Sequence, residues 1–101
     1  MSQFDVHENP RGGDYPLLLD VQSELLARLA TRVVVPLTPR ETHGPPVSRL
    51  NPTATIGGVE YVLVFQELAA VPASALGDAV ASLAPRRIEL VAAIDLLFTG
   101  F

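Results

Sequence analysis

At 101 residues and 10.8 kDa the chain has the length of one domain and too little for two independent cores. Hydrophobic residues make up 49% of it and charged residues 18%, which allows a buried core and excludes intrinsic disorder. The net charge is -4, and the seven basic residues are all Arg with no cluster larger than two, which argues against non-specific affinity for phosphate backbones or anionic membranes. Without Cys there is no disulfide framework, no thiolate nucleophile and no Cys-ligated metal.

Met1 to Glu8 has neither the basic start nor the apolar run of a signal peptide. The longest nearly uncharged apolar stretch, Leu68 to Leu76, is broken by Pro72 and falls far short of the roughly 20 residues that cross a bilayer. The expectation is a soluble, cytoplasmic protein.

In chain order, Gln3-Phe4-Asp5-Val6-His7 alternates polar and apolar residues as a half-buried strand does. The turn formers of Asn9–Asp14 follow it, and a second alternating strand over Leu17–Val21 is expected to pair antiparallel with the first. Ser23–Leu29 reads as a short helical turn or an irregular loop. Arg32–Leu37 is β-branched and predicts a third strand, with Pro36 assigned to a strand end or an edge because it lacks a donor. Thr38–Pro52, with four prolines and no apolar period, reads as a loop of about 12 to 15 residues with a binding role or local mobility.

Thr53–Ile56, Gly57-Gly58 and Val59–Phe65 form the clearest local signal, a tight hairpin whose two central residues need positive φ. Leu68–Pro72 predicts one more short edge strand. Residues 85–98 predict the single helix, with Pro85 near its first turn and Gly100 just past its end. At about 100° per residue, Leu90, Val91, Ile94, Leu97 and Phe98 share the arc expected to face the core, and Ile88, Ala92, Asp95 and Thr99 form a second arc facing water or a partner. The fold expected is one domain over residues 1–101, mostly β with one C-terminal α-helix: a small SH3-like antiparallel barrel or sheet, with strands between about 3 and 76.

Catalytic signals are sparse. His7 and His43 are the only histidines, each read as solvent-exposed without a role rather than as a general base. No metalloprotease, P-loop, serine-hydrolase or dinucleotide motif occurs, and both Gly-Gly pairs read as turns because no helix follows them. No carboxylate pair has a spacing that marks an acid–base dyad or a metal site. Neither a cofactor nor a metal is expected. The ending Leu96-Leu97-Phe98-Thr99-Gly100-Phe101 is unusually apolar, and Phe101 is either a staple for the helix end or a surface anchor.

These residues resemble the CcdB family of bacterial toxins, collinearly from end to end. The likeness rests on Gln3-Phe4-Asp5-Val6, Leu19-Asp20-Val21-Gln22-Ser23-Glu24-Leu25-Leu26, Val33–Leu37, Val47-Ser48-Arg49, Pro52 with Ile56-Gly57, Val71-Pro72, and the tail Ala93–Phe101. It implies a homodimer that is not an enzyme and has no direct contact with nucleic acid. Such a toxin binds the A subunit of DNA gyrase and traps its complex with cleaved DNA. A cognate CcdA-like antitoxin, through a disordered segment that folds onto the toxin, removes it and represses the operon with it.

The resemblance places the gyrase contacts on Leu25, Leu26, Asp95, Phe98, Thr99, Gly100 and Phe101. The family's best-known members carry Trp where this chain has Thr99 and Asn where it has Asp95, and a lost Trp hot spot costs roughly 2–4 kcal/mol of binding. Two other functions therefore stand beside gyrase poisoning: a non-toxic homologue that still binds antitoxin, and an mRNA endoribonuclease of the MazF/Kid type built on the same barrel. The second needs a basic groove and an acid–base pair, which a chain without Lys supplies poorly.

Overall fold

The computed structural model describes residues 2–100. They form β1 (Asp5–Glu8), β2 (Leu17–Asp20), β3 (Thr31–Pro39), a single helical turn α1 (Arg40–His43), β4 (Thr53–Ile56), β5 (Val59–Leu63), β6 (Ala69–Pro72), β7 (Ala79–Ser82) and α2 (Arg87–Thr99), with short 3₁₀ turns at 24–26, 65–67, 73–75 and 84–86. The strands make one curled antiparallel sheet in the order β4-β5-β3-β2-β1-β7, with β6 added on β3. The mostly-strand architecture with one C-terminal helix is the one the sequence predicts.

The first two strands pair as expected, Val6 opposite Leu19. The first strand nevertheless starts at Asp5 rather than Gln3, because Phe4 takes a left-handed φ of 69° and Asp5 N–H turns back to the Ser2 carbonyl. Phe4 is buried, its N–H donates to Asp20 O at 2.6 Å and its carbonyl accepts from Leu83 N–H at 2.8 Å. These bonds offset the cost of the conformation.

β3 is the hub of the sheet. One flank pairs with β2; the other pairs with β6 up to Val34 opposite Ala69, then with β5 from Leu37 opposite Leu63. Pro36 lies inside this nine-residue strand and not at its end or at a sheet edge. Its carbonyl accepts from Val64 N–H at 2.9 Å, so its ring nitrogen faces the flank where one partner gives way to the next and no ladder bond is lost.

The β4–β5 hairpin turns on Gly57 and Gly58 with φ of 59° and 81°, the pair of positive values its two-residue loop demands. The 38–52 segment is not one long loop. Thr38 and Pro39 complete β3, α1 follows, and Asn51 fastens the remainder. Asn51 is 4% exposed; its Oδ1 accepts from Val47 N–H, and its Nδ2 donates to Leu63 O at 3.2 Å and Gln66 Oε1 at 2.7 Å. β7, absent from the sequence reading, pairs with β1 from Asp5 opposite Ser82.

The core joins Phe4, Val6, Leu19, Val35, Leu37, Leu63 and Phe65 of the sheet and its turns to Leu90 and Ala93 of α2. Each large side chain among them contributes about 1.5–3 kcal/mol by leaving water. His7 is not exposed either: it is 4% accessible, with Nδ1 3.0 Å from Gly77 O, and His43 is half-buried.

Candidate partner-binding site

α2 is held at its N-terminal end. Arg86 donates to Thr53 O at 2.6 Å, Arg87 donates to Gln3 Oε1 at 2.8 Å, and the Arg87 guanidinium lies 5.7 Å from the Phe4 ring centre. Leu90 and Ala93 sink fully into the core, with Val91 and Ile94 packed at its margin. The buried arc is thus turned toward Ala93, whose small side chain lets the helix approach the sheet closely. Phe98, expected on the core face, falls off this arc and is 68% exposed.

The outer arc stands as predicted: Ile88, Ala92, Asp95 and Thr99 are all exposed. Arg87, Ile88, Val91, Ala92 and Asp95 line a shallow groove along it. Thr99 Oγ1 donates to Asp95 O at 2.7 Å, which turns the hydroxyl onto the helix and leaves the methyl outward. The last turn carries no basic residue, so the Asp95 carboxylate adds to the negative end of the helix dipole. Gly100 ends the helix at φ 80°, ψ 14°, its N–H on Leu96 O at 3.1 Å. A Cβ there would meet nothing within 4 Å, so the backbone angle, rather than crowding, calls for glycine. Phe101 lies outside the described residues.

The second set of predicted residues sits on the connection from β2 to β3. Ser23 caps a 3₁₀ turn at Glu24–Leu26 by accepting from Leu25 N–H at 3.2 Å, and Leu25 is 94% exposed. Leu26 and Leu29 are about half exposed, and residues 24–29 alone line the groove beside them. No hydrogen bond joins this loop to the end of α2 among the described residues.

Sequence reading missed what lies under the loop. Asp20 and Arg32 form an ion pair that is 0% and 1% exposed, with Nε and Nη2 of Arg32 donating to Asp20 Oδ2 at 3.0 and 2.7 Å. Arg32 Nη2 also reaches Gln22 O at 3.4 Å, and Gln22 N–H donates to Asp20 Oδ1 at 3.0 Å. An Asp at a strand end followed by Gln two residues on, with Arg opening the next strand, was the available signal. Its pairing needed the register of β2 against β3. Among the described residues no group of His, Asp and Glu could hold a metal ion, and no helix is long and apolar enough to cross a membrane.

Among solved structures the chain is similar to the Mycobacterium tuberculosis toxin MazF-mt6, with 17% identity and a TM-score of 0.74 over 93% of this chain and 95% of that one. At that identity the likeness is one of fold. The sequence itself matches the family model for CcdB protein over residues 3–100, nearly its full length. With that match covering nearly the whole chain, this chain belongs to the CcdB family, the toxins of toxin–antitoxin systems.

Proposed function

We propose that this protein is a gyrase-directed toxin: as a homodimer it binds the DNA gyrase A subunit, traps the enzyme on cleaved DNA, and is released by a CcdA-like antitoxin. The observation that carries this reading is exposure. Leu25 and Phe98, 94% and 68% accessible, are large apolar side chains facing water at positions where the family resemblance puts its contacts. Asp95, Thr99 and Gly100 surround Phe98 on the same exposed helix end. A poison of this kind needs a surface that fits a protein and no reacting group of its own.

An endoribonuclease reading has the shared fold in its favour and the arginines against it. Three of the seven arginines face a carboxylate, Arg32 buried against Asp20, Arg40 against Glu60 and Arg86 against Glu89, and the net charge of -4 repels a phosphate backbone. A non-toxic homologue that only binds antitoxin fits the loss of Trp at position 99.

The deciding experiment titrates the protein into supercoiled plasmid, ATP and gyrase of the same host and scores linear DNA after denaturation. Linear DNA that accumulates with the full chain and not with the chain lacking Gly100 and Phe101 supports the proposal. No cleavage at concentrations that saturate the antitoxin would leave the non-toxic reading standing, and cleavage of added RNA would favour the ribonuclease.

A further inference from the structure

The loop that presents Leu25 and Leu26 has no core of its own. None of residues 23–30 is buried, and three leucines point into solvent. Left to hydrophobic forces, such a segment would collapse onto the sheet or sample many poses. Hydrogen bonds define its shape: Leu25 N–H to Ser23 Oγ at 3.2 Å, and Leu26 N–H to Ser23 O, Ala27 N–H to Glu24 O and Leu29 N–H to Leu26 O at 3.0–3.1 Å, while at its far end Ala73 N–H donates to Ala30 O at 2.8 Å.

One buried side chain ties this exposed turn to the body. Gln22, 8% exposed, donates from Nε2 to Leu26 O and to Thr31 O, both at 3.2 Å, and accepts at Oε1 from Val33 N–H at 3.0 Å. A single amide thus grips the middle of the loop and the first residues of β3 beyond it. Its own backbone is fixed on both sides, N–H to Asp20 and carbonyl to Arg32. A buried ion pair is weak grounds for net stability, so its value here is geometric: it holds the residue that holds the loop. Among side chains of this length only Gln offers two donors and one acceptor in a plane. Glu keeps the acceptor alone and Met keeps neither.

We infer that Gln22 is the positioning residue of the 23–30 loop, setting through the Leu26 carbonyl the pose in which Leu25 and Leu26 meet a partner protein. The identity of that partner as gyrase rests on the function proposed above; the positioning itself does not. Gln22 itself is buried, with its amide on the Leu26 carbonyl of the loop it orders. A pre-set loop spares a partner the entropy of ordering it.

The test compares the wild-type full chain with Gln22→Met, which keeps the volume, and Gln22→Glu, which keeps the Val33 contact. Native-state hydrogen exchange should rise about tenfold or more at Leu26, Ala27 and Leu29 while Val35 and Leu37 in β3 stay within about threefold. Affinity for purified gyrase A subunit should fall about tenfold in Gln22→Met, and this loss should vanish when Leu25 and Leu26 are already Ala, as coupling through the loop requires. Loop amides exchanging as in the wild type, or strand amides accelerating equally, would overturn the inference. So would unchanged gyrase affinity in a Gln22→Met variant whose parent binds. If the wild type binds no gyrase at all, the function proposed above fails, and the exchange data alone decide the role of Gln22.

Discussion

Arg32→Met removes the guanidinium from a carboxylate that is 0% exposed. Asp20 would lose two charge-assisted bonds, at 3.0 and 2.7 Å, and keep one, from Gln22 N–H at 3.0 Å. Water cannot replace what is lost without opening the β2–β3 seam. Breaking a buried pair from one side costs about 3–5 kcal/mol. That is a large share of the roughly 5–15 kcal/mol that holds a domain of this kind together. At about 4–8 °C per kcal/mol, the thermal midpoint should drop by about 12 °C or more. Replacing both partners, Asp20→Leu with Arg32→Met, removes the stranded charge together with its counterion and should return the protein to within about 1.5 kcal/mol of wild type. Urea unfolding of the three variants at pH 7 and one fixed protein concentration measures the coupling directly. A single-variant cost under about 1 kcal/mol, or a double variant as unstable as the sum of its parts, would show that the pair carries no such interaction.

Gly77→Ala places a Cβ 2.8 Å from the Glu8 carbonyl oxygen, a backbone atom that cannot swing away, and should cost about 1–3 kcal/mol with faster exchange along the β1–β7 edge. At the hairpin tip, Gly57→Asn should be nearly neutral while Gly58→Val loses about 1–2 kcal/mol, since both sites have open space and a positive φ that Asn tolerates and a β-branched residue does not; thermal melts separate the two. Phe98→Ser, at a side chain 68% exposed, should move stability by no more than about 0.5 kcal/mol yet reduce gyrase-dependent linear DNA at least about tenfold.

What the sequence makes legible here is what short range decides. The Gly57-Gly58 hairpin could be read because turn chemistry involves two adjacent residues, and the helix could be read because Pro85 and Gly100 bracket it. Ala79–Ser82 escaped because Ala and Ser carry no β signature, and their place in the sheet depends on Asp5 and Val6 far away in sequence. Phe98 reads as core from the sequence because the apolar arc is centred on large residues. The helix instead seats Leu90 and Ala93 in the core, which the size of the side chains alone does not reveal. Leu25 and Leu26 could be named from resemblance, yet the Asp20–Gln22–Arg32 network beneath them depends on strand register. Pro36 shows the same dependence, since a break in the opposing strands makes an interior proline harmless.

The pairing of β1 with β7 governs when the molecule becomes itself. Asp5 meets Ser82, and the Phe4 carbonyl meets Leu83 N–H, so the seam joins the two ends of the chain. Contacts that distant in sequence form slowly, after nearer pairings have been made. A ribosome still holding β7 cannot display a closed seam, and α2, with the exposed surface at its end, is synthesised later still. Until residues 79–82 have been made, β1 carries one flank unpaired, and the exposed end of α2 has no finished sheet to stand on.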